Sequence, residues 1–136
     1  MYWKDCFKGE SADIFFITTM NRAGEHVAAM QQEALRHRCD PADIGVYLQP
    51  IENGRAAHLE FIIPYNPADA AETERVKALH AAASEAAYRC GAVFTRAYGA
   101  WAQMVSSRNA VHHETARQIK EILDPNNIMN PGKLGL

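Results

Sequence analysis

The chain has 136 residues, 48% of them apolar and 22% charged, with a formal net charge of −2. That length supports one domain whose core needs no disulfide staples, and the interspersed, slightly acidic charge excludes the basic patch that a nucleic acid or an anionic membrane would need. No stretch reaches the ~20 consecutive apolar residues of a membrane span, no signal-peptide pattern opens the chain, and Cys6, Cys39 and Cys90 lack C-x-x-C spacing, so a cytoplasmic protein with reduced thiols is expected.

The β-branched and aromatic run from Asp13 to Thr19 predicts a first strand, closed by the turn-forming "MNRAG". Val27, Met30, Ala34 and Leu35 then recur at helical spacing, and Pro41 ends that helix because it disfavours helical geometry at Asp40. In the second strand Ile44, Val46 and Leu48 share one face, with Tyr47 and Gln49 on the other. Asn53-Gly54 suits a hairpin turn into a third strand, where Ala57, Leu59, Phe61 and Ile63 alternate with His58 and Glu60. Val76, Leu79, Ala83, Ala87 and Cys90 mark the inner stripe of a second helix that stops at Gly91, and "AVFTRA" reads as a short fourth strand.

The order βαββαβ is the α+β, ferredoxin-like arrangement: an antiparallel sheet with both helices on one face and the other face free. It is expected to occupy residues 1–98. Residues 99–136 follow as a third helix, roughly Ala100 to Leu123, with His112, Thr115, Ile119, Ile122 and Leu123 on one face, and then the tail "DPNNIMNPGKLGL". Asp124 can cap the turn that Pro125 starts, and Pro131-Gly132 suits the centre of a type II turn, so the tail should follow a fixed irregular path.

No histidine pair has the H-E-x-x-H spacing that places two imidazoles on one helical face, so no metal site is expected, and His26, His112 and His113 read as solvated helix residues. Tyr47, Gln49, His58 and Glu60 form a polar, ionisable patch on the sheet face without helices, a candidate ligand surface. Arg96, at the end of the fourth strand, could clamp an anion.

The ending "IKEILDPNNIMNPGKLGL" resembles the closing segment of the FAD-linked oxidases, the family of p-cresol methylhydroxylase, vanillyl-alcohol oxidase, glycolate oxidase and D-lactate dehydrogenase, in the pattern Asp124-Pro125, Ile128, Pro131-Gly132-Lys133. "IFFITTMNRAGEHVAAM", "LEFIIPYNPAD" and "GAVFTRAYGAW" resemble successive pieces of that family's cap domain, most nearly in its phenol-oxidising branch. The resemblance implies that the open sheet face roofs the flavin, while the last helix and tail pack on a separate FAD-binding domain or subunit. It implies a catalytic, flavin-side Arg96, substrate contacts from Tyr47, His58, Glu60, Thr95 and Tyr98, and cofactor contacts from Arg96, Asn130 and Lys133. Thr95 replaces the branch's phenolate-binding tyrosine, and Ala97 and Tyr98 replace the Glu and His of the metal-dependent 2-hydroxy acid branch.

The expected function is therefore the substrate cap of an FAD-dependent oxidoreductase acting on a small hydroxylated or aromatic molecule. The chain is expected to be inactive alone, as a fragment or as a subunit of a split enzyme, and to form homo-oligomers through its exposed apolar faces. The alternative reading is a stand-alone ferredoxin-like ligand-binding or regulatory module.

Overall fold

A computed structural model describes residues 7–133, which leaves Cys6 and the last three residues of the tail outside the described part. In chain order its elements are β1 (Glu10–Thr19), α1 (Ala23–Arg36), β2 (Gly45–Ile51), β3 (Ala56–Tyr65), α2 (Ala70–Arg89), α3 (Ala100–Arg108) and α4 (Ala110–Leu123). The chain divides into two compact units between Val93 and Phe94.

In the first unit the strands form an antiparallel sheet in the order β1-β3-β2. Strands β1 and β3 pair over ten residues, from Glu10 opposite Tyr65 to Thr19 opposite Ala56. This register sets Ile14 against Phe61, Phe16 against Leu59 and Thr18 against Ala57, and all six side chains are buried. Helix α1 lies on this face, since the His26 ring sits 4.7 Å from that of Phe16. Helix α2 buries Val76, Leu79, Ala83 and Ala87, as its spacing predicts. Each large apolar side chain so buried contributes about 1.5–3 kcal/mol.

The antiparallel α+β architecture agrees with the sequence reading, but its fourth strand shrinks to one bridge. Ile17 and Val93 exchange two backbone hydrogen bonds of 2.9 Å, and the chain then bends at Thr95 and Arg96. Val46 and Leu48 do lie on the helix-side face, opposite Phe61 and Leu59, yet they are 51% and 40% exposed. The expected third helix is also two helices, broken where Asn109 leaves helical geometry at φ −130°, ψ 50°.

The turns bear out their residues. Asp69 caps α2 by accepting from the amides of Ala71 and Glu72, and Glu72 reaches back to the amide of Asn66. Glu52, Asn53 and Gly54 all take positive φ to carry β2 into β3. Helices α1 and α2 end alike. Cys39 N–H bonds Ala34 C=O and Arg38 N–H bonds Leu35 C=O; Ala92 N–H bonds Ala87 C=O and Gly91 N–H bonds Tyr88 C=O. The residue in the left-handed position is Gly91 in α2 but Arg38, at φ 57°, in α1.

The inner face of α1 departs from expectation. Its buried positions are Ala23, His26, Met30, Glu33 and Ala34, while Leu35 is 66% exposed. His26 is thus a core residue, 1% exposed, with Nε2 at 2.9 Å from the Thr18 hydroxyl. Glu33 is held by Arg36 at 2.6 Å and lies 3.9 Å from the His37 ring. Polar partners let these two residues take inner positions that hydrophobicity alone assigns to their neighbours.

In the second unit Asp124 organises the tail. Its carboxylate accepts from Lys120 Nζ at 2.6 Å and from the amides of Ile128 and Met129 at 2.8 and 2.9 Å, while Lys120 also donates to the Met129 carbonyl. These contacts, led by the Lys120 hydrogen bond, hold the Asp124 carboxyl below its ordinary pKa. No helix among the described residues is long and apolar enough to cross a membrane.

Two outcomes follow. Burial pushes the pKa of His26 below its ordinary 6.5, and burial does the same to His80, although the Asp13 carbonyl opposes it. The unfolded chain therefore binds more protons than the native one below about pH 6.5, so stability is complete above that pH and falls with acid down to the native pKa values. Denaturant melts of the wild type between pH 7 and about pH 5 should show this loss, and His26→Gln, which cannot titrate, should flatten the curve. In the tail, Asp124→Ala removes the acceptor for two amides, so hydrogen exchange at Ile128 and Met129 should quicken while exchange in β1 and β3 stays unchanged.

Candidate functional site

The sheet face turned away from the helices carries two cross-strand rows. Phe15, Glu60 and Tyr47 stand opposite one another in one, and Ile17, His58 and Gln49 in the next. The period of two that sends Ile14, Phe16, Leu59 and Phe61 inward sends these residues outward. The His58 ring centroid lies 6.3 Å from Phe15, with a stacked geometry, and 6.2 Å from Tyr47, edge to face. Tyr47 donates to Gln49 Oε1 at 3.4 Å, and the Tyr47 side chain is about half exposed.

The structure thus brings together Tyr47, Gln49, His58 and Glu60, the four sheet residues singled out from the sequence. Phe15 was missed, although alternation about Ile14 and Phe16 was the signal that could have found it. The surface combines aromatic faces with an imidazole, a carboxylate, a carboxamide and a phenol. It can stack on a flat ring and exchange hydrogen bonds with polar groups at that ring's edge.

The remaining candidates lie in the second unit. Phe94 and Trp101 are buried and stack at 4.8 Å with 12° between their planes, and Tyr98 tilts against Trp101 at 5.4 Å. Lys133 returns from the tail to place Nζ 5.4 Å from the Tyr98 ring centroid, so two predicted site residues meet in a cation–π contact. Asn130 takes the left-handed conformation, and its carbonyl accepts from the Lys133 amide at 3.1 Å. Thr95 and Arg96 are exposed on the bend after Phe94, where the Arg96 carbonyl accepts from the Tyr98 amide. Around the same tail, Ile119, Ile122, Leu123, Ile128 and Met129 expose large apolar side chains.

Among the described residues no group of three or more His, Cys, Asp or Glu side chains is arranged to hold a metal ion. Cys39 and Cys90 are free thiols, both partly buried.

Comparison with known families matches residues 54–134 to the model described as FAD linked oxidases, C-terminal domain. No curated protein and no solved structure matched the chain. The matched span runs from the β2–β3 turn through His58, Glu60, α2, Arg96 and Tyr98 to the Asp124 clasp and Lys133, and it covers more than half of the sequence. The chain therefore belongs to the FAD-linked oxidases, as their C-terminal domain.

Proposed function

We propose that this domain is the substrate cap of an FAD-dependent oxidoreductase whose substrate is a small hydroxylated or aromatic molecule. The observation that carries this reading is the open sheet face, where Phe15, His58 and Tyr47 form an aromatic surface bordered by Glu60 and Gln49. A planar isoalloxazine ring or an aromatic substrate fits such a surface, and a substrate hydroxyl finds acceptors in Glu60 and His58. The flavin, when bound, accepts the hydride; the chain's residues supply the surface and the charge around it. Arg96 is the catalytic candidate, a guanidinium that would balance the negative charge carried to the flavin with the hydride. Tyr98, with Lys133 above it, and Thr95 and Asn130 nearby in sequence to one or the other, would add substrate and cofactor contacts. The exposed apolar residues of α4 and the tail would dock on the FAD-binding domain, and in its absence would favour self-association.

The isolated chain should be colourless and bind FAD only weakly, because its sequence contains no glycine-rich loop for the pyrophosphate. A stoichiometric yellow preparation with flavin absorption bands would overturn the division of labour proposed here. In the assembled enzyme, Arg96→Ala should lower kcat/KM by about 2–4 kcal/mol of transition-state stabilisation, and Arg96→Lys should recover only part of it. Steady-state kinetics beside a denaturant melt separate this from a surface ion pair, whose loss changes stability by about 1 kcal/mol or less and leaves turnover intact.

A further inference from the structure

Away from the open face, a cavity of about 100 Å³ lies among the segment that follows α1, Lys8, β3 and the first turns of α2. Its charged walls are Lys8, Arg38, Asp40, Asp43, Glu72 and Arg75. The carboxylates are already engaged. Lys8 Nζ donates to Asp43 and Glu72, each at 3.2 Å; the second Glu72 oxygen accepts from the Asn66 amide, and Asp40 accepts from the Ala42 amide at 2.9 Å. These contacts hold the Lys8 pKa above and the Glu72 pKa below their ordinary values, so both stay charged. The side chains of Arg38 and Arg75, by contrast, make no hydrogen bond or ion pair among the described residues.

The cavity is therefore left with guanidinium donors in excess of acceptors, although its formal charges balance. The backbone adds an independent observation. Arg38 occupies the left-handed position of the same helix-ending motif in which α2 uses Gly91, the residue that takes this conformation without a steric penalty. An arginine there strains the backbone, and Arg38 is one of the residues that line the cavity.

We propose that Arg38 and Arg75 form a binding site for a small oxyanion. Planar guanidinium forks match the oxygen geometry of a phosphate or a carboxylate, and the volume admits a group of that size but not a nucleotide.

The test is an amide NMR titration of the full chain with inorganic phosphate, at an ionic strength held constant with sodium chloride. Saturable shifts confined to residues 38–43 and 72–76 are the expected result. Acetate titrated in the same way distinguishes a carboxylate ligand from a phosphate: saturation by either supports the site, and the tighter one names its chemistry. Arg75→Gln and Arg38→Gly should each weaken binding by roughly tenfold or more. Because glycine suits this backbone position, Arg38→Gly should at the same time raise the melting temperature, which separates lost binding from lost folding. Shifts that stay linear with both anions, or binding by both variants equal to wild type, would overturn the proposal.

Discussion

The ten-residue antiparallel register between β1 and β3 is the constraint on which the rest of the first unit depends. It aligns Ile14, Phe16 and Thr18 with Phe61, Leu59 and Ala57 on one face, and by the same pleat aligns Phe15 with Glu60 and Ile17 with His58 on the other. A slip of one residue would send the apolar set to solvent and the candidate ligand surface into the core. Packing of α1 and α2 on the first face thus fixes the composition of the second without touching it. The candidate ligand surface is the reverse side of the core.

His26 shows how closely a polar group can be tied into that core. Its imidazole sits against Phe16 and bonds the Thr18 hydroxyl, two β1 residues on the helix-side face, so it joins α1 to the sheet both by ring contact and by hydrogen bond. Burial without a partner would cost the hydrogen bond's desolvation, while the Thr18 contact offsets part of it and fixes the rotation of α1 over the sheet. A helix turned to bury Val27 and Leu35 would leave both the Thr18 hydroxyl and the imidazole without this bond.

The two units hold their irregular segments by the same device, a polar group that captures backbone ends. Asp69 and Glu72 capture the amides at the start of α2, and Asp124 with Lys120 captures the backbone of the tail. Fixing the tail in this way keeps Ile128 and Met129 exposed in a defined conformation, with Lys133 carried to the ring of Tyr98. An ordered apolar surface loses less entropy on docking than a disordered one, which suits a segment whose family associates with an FAD-binding domain.

The sequence by itself determined what depends on local chemistry and on strict periodicity: the antiparallel α+β order, the inner stripe of α2 and its stop at Gly91, the left-handed turn at Asn53-Gly54, the capping role of Asp124, and membership in the FAD-linked oxidases through the terminal motif. Alternation in the strands also made the grouping of Tyr47, His58 and Glu60 legible, because side chains of a strand have only two faces to choose between. Tertiary structure alone decided the rest. Hydrophobic spacing could not show that His26 and Glu33 belong inside, since that rests on partners such as Thr18, eight residues away on another element. Nor could it show that Val46 and Leu48 stay uncovered, that "AVFTRA" pairs through Val93 alone, or that the long helix breaks at Asn109. The cavity of Arg38 and Arg75 was equally hidden: its walls come from the segment after α1, from β3 and from α2, and only the packing of those parts brings such distant charges to one place.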